Sequence, residues 1–92
     1  MCTMIVKKVN INGSGKGTDG WFSLNRANVS YDHPFHIAKE HALNIDFVNE
    51  ELGPGARVAV ELSEQAARSL VDAILDVLSQ AEAGGHLESS TA

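Results

Sequence analysis

The sequence predicts an α+β fold, namely a four-stranded antiparallel meander in the order 1-2-3-4 with one C-terminal amphipathic helix packed on one face. Four segments are β-branched or alternate apolar and polar residues, which is the pattern of half-buried strands. A single long segment follows in which apolar residues recur every three or four positions, as in a helix. Most connections are short, so consecutive strands should be neighbours in the sheet.

The four strands are predicted over residues 3–11, 21–32, 41–48 and 57–62. In the second strand, Ala, Val and Tyr alternate with Arg, Asn, Ser and Asp, which indicates one buried and one solvated face. The stretch 12–20 holds four of the eight glycines, and this composition predicts a flexible hairpin loop.

The helix is predicted to begin after Ser63, whose hydroxyl can cap the first turn, and to end at Gly84-Gly85. Its apolar residues form one face, called here the apolar stripe. The stripe consists of Ala67, Leu70, Val71, Ile74, Val77, Leu78 and Ala81. We therefore expect a single domain over residues 1–83 and a flexible tail over residues 84–92.

Length and charge limit the possible functions. A chain of 92 residues forms one core, and a domain this small is marginal alone, so a homodimer is expected. A net charge of −5 with scattered Lys and Arg argues against nucleic-acid binding. No apolar run approaches the roughly 18–20 residues that span a bilayer. The single cysteine, Cys2, excludes an internal disulfide framework, so a soluble cytoplasmic protein is expected.

Three of the four histidines fall within nine residues, between the second and third predicted strands. They are His33, His36 and His41. In a 1-2-3-4 meander, the start of strand 1, the end of strand 2, the start of strand 3 and the end of strand 4 share one edge of the sheet. Cys2 and Glu61 should therefore lie near these histidines.

Imidazole and thiolate groups are typical ligands of divalent transition metals. The sequence thus predicts a small metalloprotein with the ligands His33, His36 and His41, and with Cys2 or an acidic residue as the fourth ligand. The metal would be zinc first, with copper, nickel or iron as alternatives. An open coordination position would make the protein a small metal-dependent enzyme, and whether it is an enzyme is left open.

Other interpretations stand beside this one. The protein could instead be a non-enzymatic homodimeric binding or interaction module with structural histidines and a small polar ligand. Metal-free acid/base chemistry by His33 or His41 with Asp32 or Glu40 is a third hypothesis. Asp46 and Arg57, on neighbouring strands, are expected to form a cross-strand ion pair.

Several short motifs are distinctive: Met1-Cys2-Thr3, Gly13-Ser14-Gly15-Lys16-Gly17, Gly20-Trp21-Phe22, Asp32-His33-Pro34, the run from Glu40 to Phe47 and the run from Gly53 to Leu62. Together they resemble those of a group of short bacterial proteins of uncharacterised function, many from actinobacteria. The resemblance covers most of residues 1–82. It implies a freestanding bacterial protein, and it brings no activity, cofactor or catalytic residue with it.

Overall fold

The computed structural model describes residues 5–88, which form a four-stranded antiparallel sheet followed by one helix. The strands pair in the order β1-β2-β3-β4, so the predicted α+β class and meander are confirmed. A short 3₁₀ turn lies between β3 and β4. The bounds are β1 Ile5–Gly17, β2 Gly20–Asp32, β3 Ala42–Val48, the turn Glu50–Leu52, β4 Arg57–Leu62 and α1 Glu64–Ala83.

The first hairpin is longer than the sequence predicts. The glycine-rich stretch, expected as a loop, continues β1 and pairs with β2 as far as Gly17 opposite Gly20. Only Thr18 and Asp19 form the turn, and Gly20 adopts a φ of 121°, which favours glycine. Glycine has the same backbone N–H and C=O groups as other residues. It can therefore form the hydrogen bonds of a sheet with a neighbouring strand that carries aromatic residues.

A bulge between Asn10 and Gly13 bends the far half of this hairpin. Beyond the bulge, Gly15 faces both Leu24 and β4, since a Cβ on Gly15 would lie 3.1 Å from Leu24 Cδ1 and 3.5 Å from Val58 Cγ2. Leu24 is only 8% exposed. The small core of the described chain lies partly here, and no large side chain among residues 5–88 is completely buried.

The pairing register separates the sheet into two faces. One face is polar and includes Asn28 opposite Asp46, Ser30 opposite Asn44, and Asn44 opposite Glu61. The other is called here the apolar sheet face. Its three rows are Val9–Ala27–Phe47–Val58, Lys7–Val29–Ile45–Val60 and Ile5–Tyr31–Leu43–Leu62.

Helix α1 begins as predicted, because the Ser63 hydroxyl accepts a hydrogen bond from the amide of Ala66 at 3.1 Å. Its placement differs from the expectation of a helix packed along one sheet face. Ile74 is 50% exposed and Val77 is 64% exposed, so the apolar stripe is largely uncovered. One residue, Ser63, joins β4 to α1, and only the first turns of the helix lie near Tyr31 and Leu43.

The helix ends at Ala83, and the amides of Gly84, Gly85 and His86 donate to carbonyls of its last turn. The division into a domain over residues 1–83 and a tail over residues 84–92 stays a prediction. Across residues 5–88, α1 is too polar to qualify as a membrane-crossing helix.

Candidate functional site

The connection between β2 and β3, residues 33–41, is called here the histidine loop. It reaches across β3 to Glu61 on β4. The Glu61 carboxylate accepts hydrogen bonds from the amides of Phe35 at 2.6 Å, His36 at 3.0 Å and Ile37 at 3.0 Å. The bonds from Ile37 and Phe35 are the main reason that the pKa of Glu61 lies below its ordinary value. Glu61 therefore fixes the loop to the sheet.

The ends of the histidine loop are held by a stack of three rings. Tyr31 stacks on His41 with centroids 6.0 Å apart, and His41 stacks on His33 at 4.8 Å. His33 Nδ1 lies 2.9 Å from the carbonyl oxygen of Glu40. Because a carbonyl only accepts, this ring nitrogen carries the proton and donates it. Both histidines thus close the loop on itself.

The predicted proximity of His33, His41 and Glu61 is therefore present, but its chemistry differs. Residues 5–88 contain no group of three or more His, Cys, Asp and Glu side chains that could hold a metal ion, so the prediction of a His-cluster metalloprotein is wrong. Lone pairs on imidazole nitrogen lie in the ring plane, and two stacked rings do not direct them at a common point. The exposed His36 contacts Glu61 through its backbone amide. Cys2, the fourth predicted ligand, lies outside the described residues.

A groove of about 320 Å³ runs between the histidine loop and the polar face of the sheet. Its mouth carries Phe35, whose surface is 95% exposed. Inside it, Arg57 donates to Asp46 Oδ1 from Nε at 3.0 Å and from Nη2 at 2.9 Å, which confirms the expected cross-strand ion pair. Hydroxyl, amide and carboxylate groups of Ser30, Asn44 and Asp32 also line the groove. The groove is suited to hydrogen bonding with a small polar molecule.

Asn49 is the one buried polar residue in the described part of the chain, and it was not among the residues predicted to form a site. Its Nδ2 donates to the carbonyl of Ser23 at 3.0 Å, and its Oδ1 accepts from the Asn25 side chain and the Glu51 amide. A recognisable signal was present, since an Asn directly before two Glu residues is typical of a helix N-cap. Asn49 indeed caps the 3₁₀ turn.

The largest chemical feature of the surface is apolar. Six side chains of α1 are between 43% and 64% exposed, and together they present on the order of 500 Å². These are Leu70, Val71, Ile74, Leu75, Val77 and Leu78. The apolar sheet face is also incompletely covered: Ile5 and Val9 are exposed, and its other strand residues are mostly half-buried. The chain thus carries two separate apolar surfaces that are not fully covered.

Comparison with known proteins places the chain without identifying an activity. No curated protein and no solved structure matches it. A family match spans residues 1–87, nearly the whole chain and every element described above. The chain therefore belongs to the family of unknown function DUF6295.

Proposed function

We propose that the protein is a non-enzymatic homodimeric interaction module, in which the exposed apolar surfaces form the interface between two copies. The observation that carries this proposal is the exposure of the apolar stripe along most of α1. An amphipathic helix gains most of its stability in proteins from packing its apolar face. In a single copy, that face has little to pack against.

The size of the surface supports a protein partner. The largest apolar patch on a typical monomer is about 300–600 Å², and the stripe alone reaches this range before the apolar sheet face is added. A specific interface buries about 800 Å² on each partner. The helix and the sheet face together offer an area of this order.

The histidines are structural in this proposal, since His33 and His41 stack on each other and close the histidine loop. Replacing both with Ala would then lower stability and leave dimerisation intact. The groove lies on the polar face, opposite the apolar sheet face, so it would stay open in such a dimer. A small polar ligand bound there is the second part of the proposal.

The test is the mass of the protein in solution, measured by sedimentation equilibrium over a wide concentration range. We expect the unaltered chain to sediment at twice its 9.8 kDa mass. Ile74→Lys places a charge within the apolar stripe and should give a monomer. Asp76→Lys, on the opposite side of the same helix, should remain a dimer. A monomeric unaltered chain, or equal behaviour of the two variants, would contradict the proposal.

A further inference from the structure

Two apolar surfaces of this chain are incompletely covered, and they complement each other in shape and length. We infer that α1 of each copy packs on the apolar sheet face of the other copy, so that the two chains exchange helices reciprocally. This inference rests on the proposed homodimer and specifies which surfaces meet in it. The alternative arrangement is a dimer in which the two helices pack only against each other.

The width of the helix surface favours a sheet as its partner. At about 100° per residue, the apolar stripe and Leu75 beside it cover about 160° of the helix circumference. A two-stranded coiled coil needs only the narrower seam formed by its a and d positions. A helix that is apolar over so wide an arc fits a broad, flat surface better than a second helix alone.

The lengths of the two surfaces also agree. The part of α1 from Leu70 to Ala83 extends over about 20 Å at 1.5 Å per residue. The seven residues of β3 extend over about 23 Å. One helix can therefore cover β3 from end to end, including Leu43, Ile45 and Phe47, which lie along this strand on the apolar sheet face.

The helix of the same chain does not occupy this position. A cleft of about 360 Å³ separates Ala67 and Arg68 at the start of α1 from Tyr31 and Leu43 on the sheet. Farther along, the stripe is exposed and Ile45 and Phe47 are only partly covered. A two-fold axis would place each free helix on the other sheet and cover both of these apolar surfaces, which is the closed symmetry typical of homodimers.

The charges agree with this arrangement. Lys7 is the one charged residue in the three rows of the apolar sheet face, and no ion pair joins it to another residue in the range 5–88. Glu82 lies beside the apolar stripe on the side of Leu75, and it forms no ion pair within the same described range. A helix from the second copy would offer this carboxylate as a partner for Lys7.

The first test uses the unaltered protein. Equal amounts of ¹³C-labelled and unlabelled chain are mixed and re-equilibrated, and an isotope-filtered NOE spectrum then reports only contacts between copies. We expect intermolecular contacts from the methyl groups of Val71, Ile74 and Leu78 to those of Ile45 and Val60. A dimer with helix-to-helix contacts only would overturn the exchange but leave the proposed homodimer standing. A monomer at every concentration would overturn both.

Disulfide trapping provides a second measurement. In a Cys2→Ser background, a chain carrying Ile74→Cys is mixed with a chain carrying Ile45→Cys and oxidised. Reciprocal exchange predicts a disulfide between the two different chains. The matched control is Asp76→Cys, on the opposite side of α1, which should not link to Ile45→Cys. Linking of Ile74→Cys chains only to each other would overturn the exchange.

Discussion

Asn49 directly follows β3, and its side chain joins this point of the chain to β2 and to the 3₁₀ turn. It bonds to Ser23, Asn25 and the Glu51 amide, and its backbone amide donates to Ala56 at 3.1 Å. An Asn49→Ala variant keeps the backbone bond to Ala56 but leaves the Ser23 carbonyl, the Asn25 side chain and the Glu51 amide without their bonds in a partly buried place. We expect it to lower the free energy of unfolding by about 2–3 kcal/mol in urea at fixed protein concentration.

The control for this prediction is Asn44→Ala, because the Asn44 side chain makes one local hydrogen bond to the carbonyl of Ala42 at 3.2 Å. It should lower the free energy of unfolding by less than about 1 kcal/mol. If both variants lose the same stability, Asn49 does not join these parts of the chain as described.

Glu61 gives the attachment of the histidine loop a dependence on pH. Its carboxyl pKa is lowered from 4.5 by amide hydrogen bonds to its ionised form, so this attachment is fully present above 4.5. It is lost as the pH falls through the lowered pKa. We expect the amide proton shifts of Phe35, His36 and Ile37 to share a titration midpoint below 4.5.

A Glu61→Gln variant should abolish this shared titration, because the amide of Gln does not ionise. Glu40→Gln changes a loop carboxylate that makes no hydrogen bond or ion pair in the described structure, so it should preserve the titration. A midpoint above 4.5, or a titration that survives in Glu61→Gln, would refute the attachment.

Topology was enough to predict that His33, His41 and Glu61 lie near one another, because the strand order brings their positions to one edge. The role of these residues could not be read in the same way. Whether a carboxylate or an imidazole binds a metal or a backbone amide depends on the path of the loop, and the nine residues of the histidine loop show no periodic pattern.

At the scale of the element, two glycines of β1, Gly13 and Gly15, differ in the space available around them. A Cβ on Gly15 would lie 3.1 Å from the buried Leu24, whereas a Cβ on Gly13 would have nothing within 4 Å. We expect Gly15→Ala to lower the free energy of unfolding by about 1 kcal/mol through overpacking. Gly13→Ala should leave it unchanged or raise it by up to about 1 kcal/mol, since it restricts the unfolded chain.

Thermal and urea unfolding of the two variants at equal concentration would check this difference. Equal effects on stability would mean that the far half of the hairpin does not pack against β4. The prediction of a loop over residues 12–20 was wrong for a related reason. Composition shows that glycine permits a turn, but it does not show that residues 13–16 pair with Trp21 to Leu24 on the returning strand.

Helix α1 was the element best predicted from sequence, with Ser63 as its cap and Ala83 as its end. Capping and periodicity are local properties, and local properties can be read from neighbouring residues. The surface that covers the stripe is not a local property. The amphipathic pattern indicates that one side of the helix must be buried. It does not indicate whether that side packs on the sheet of the same chain or on the sheet of a second copy.

At the scale of the whole molecule, the radius of gyration is 15.1 Å, against about 12 Å for a compact chain of this length. A dimer would restore the missing packing, and its stability would then depend on concentration. We expect each tenfold increase in protein concentration to raise the apparent free energy of unfolding by about 1.4 kcal/mol, so that the melting temperature rises as well.

Differential scanning calorimetry at several concentrations would measure this effect. The Ile74→Lys variant, expected to be monomeric, serves as the reference and should melt at a temperature independent of concentration. A melting temperature of the unaltered chain that does not change with concentration would contradict assembly through these surfaces.

The position of β1 at the rim of the sheet has one further consequence. Its outer backbone groups could accept an added strand, and unlimited addition of this kind produces fibres. Three of the seven basic residues, Lys7, Lys8 and Lys16, lie on this strand with exposed side chains. Two such strands placed side by side would repel each other, so growth along the rim is disfavoured and association is directed towards a finite particle.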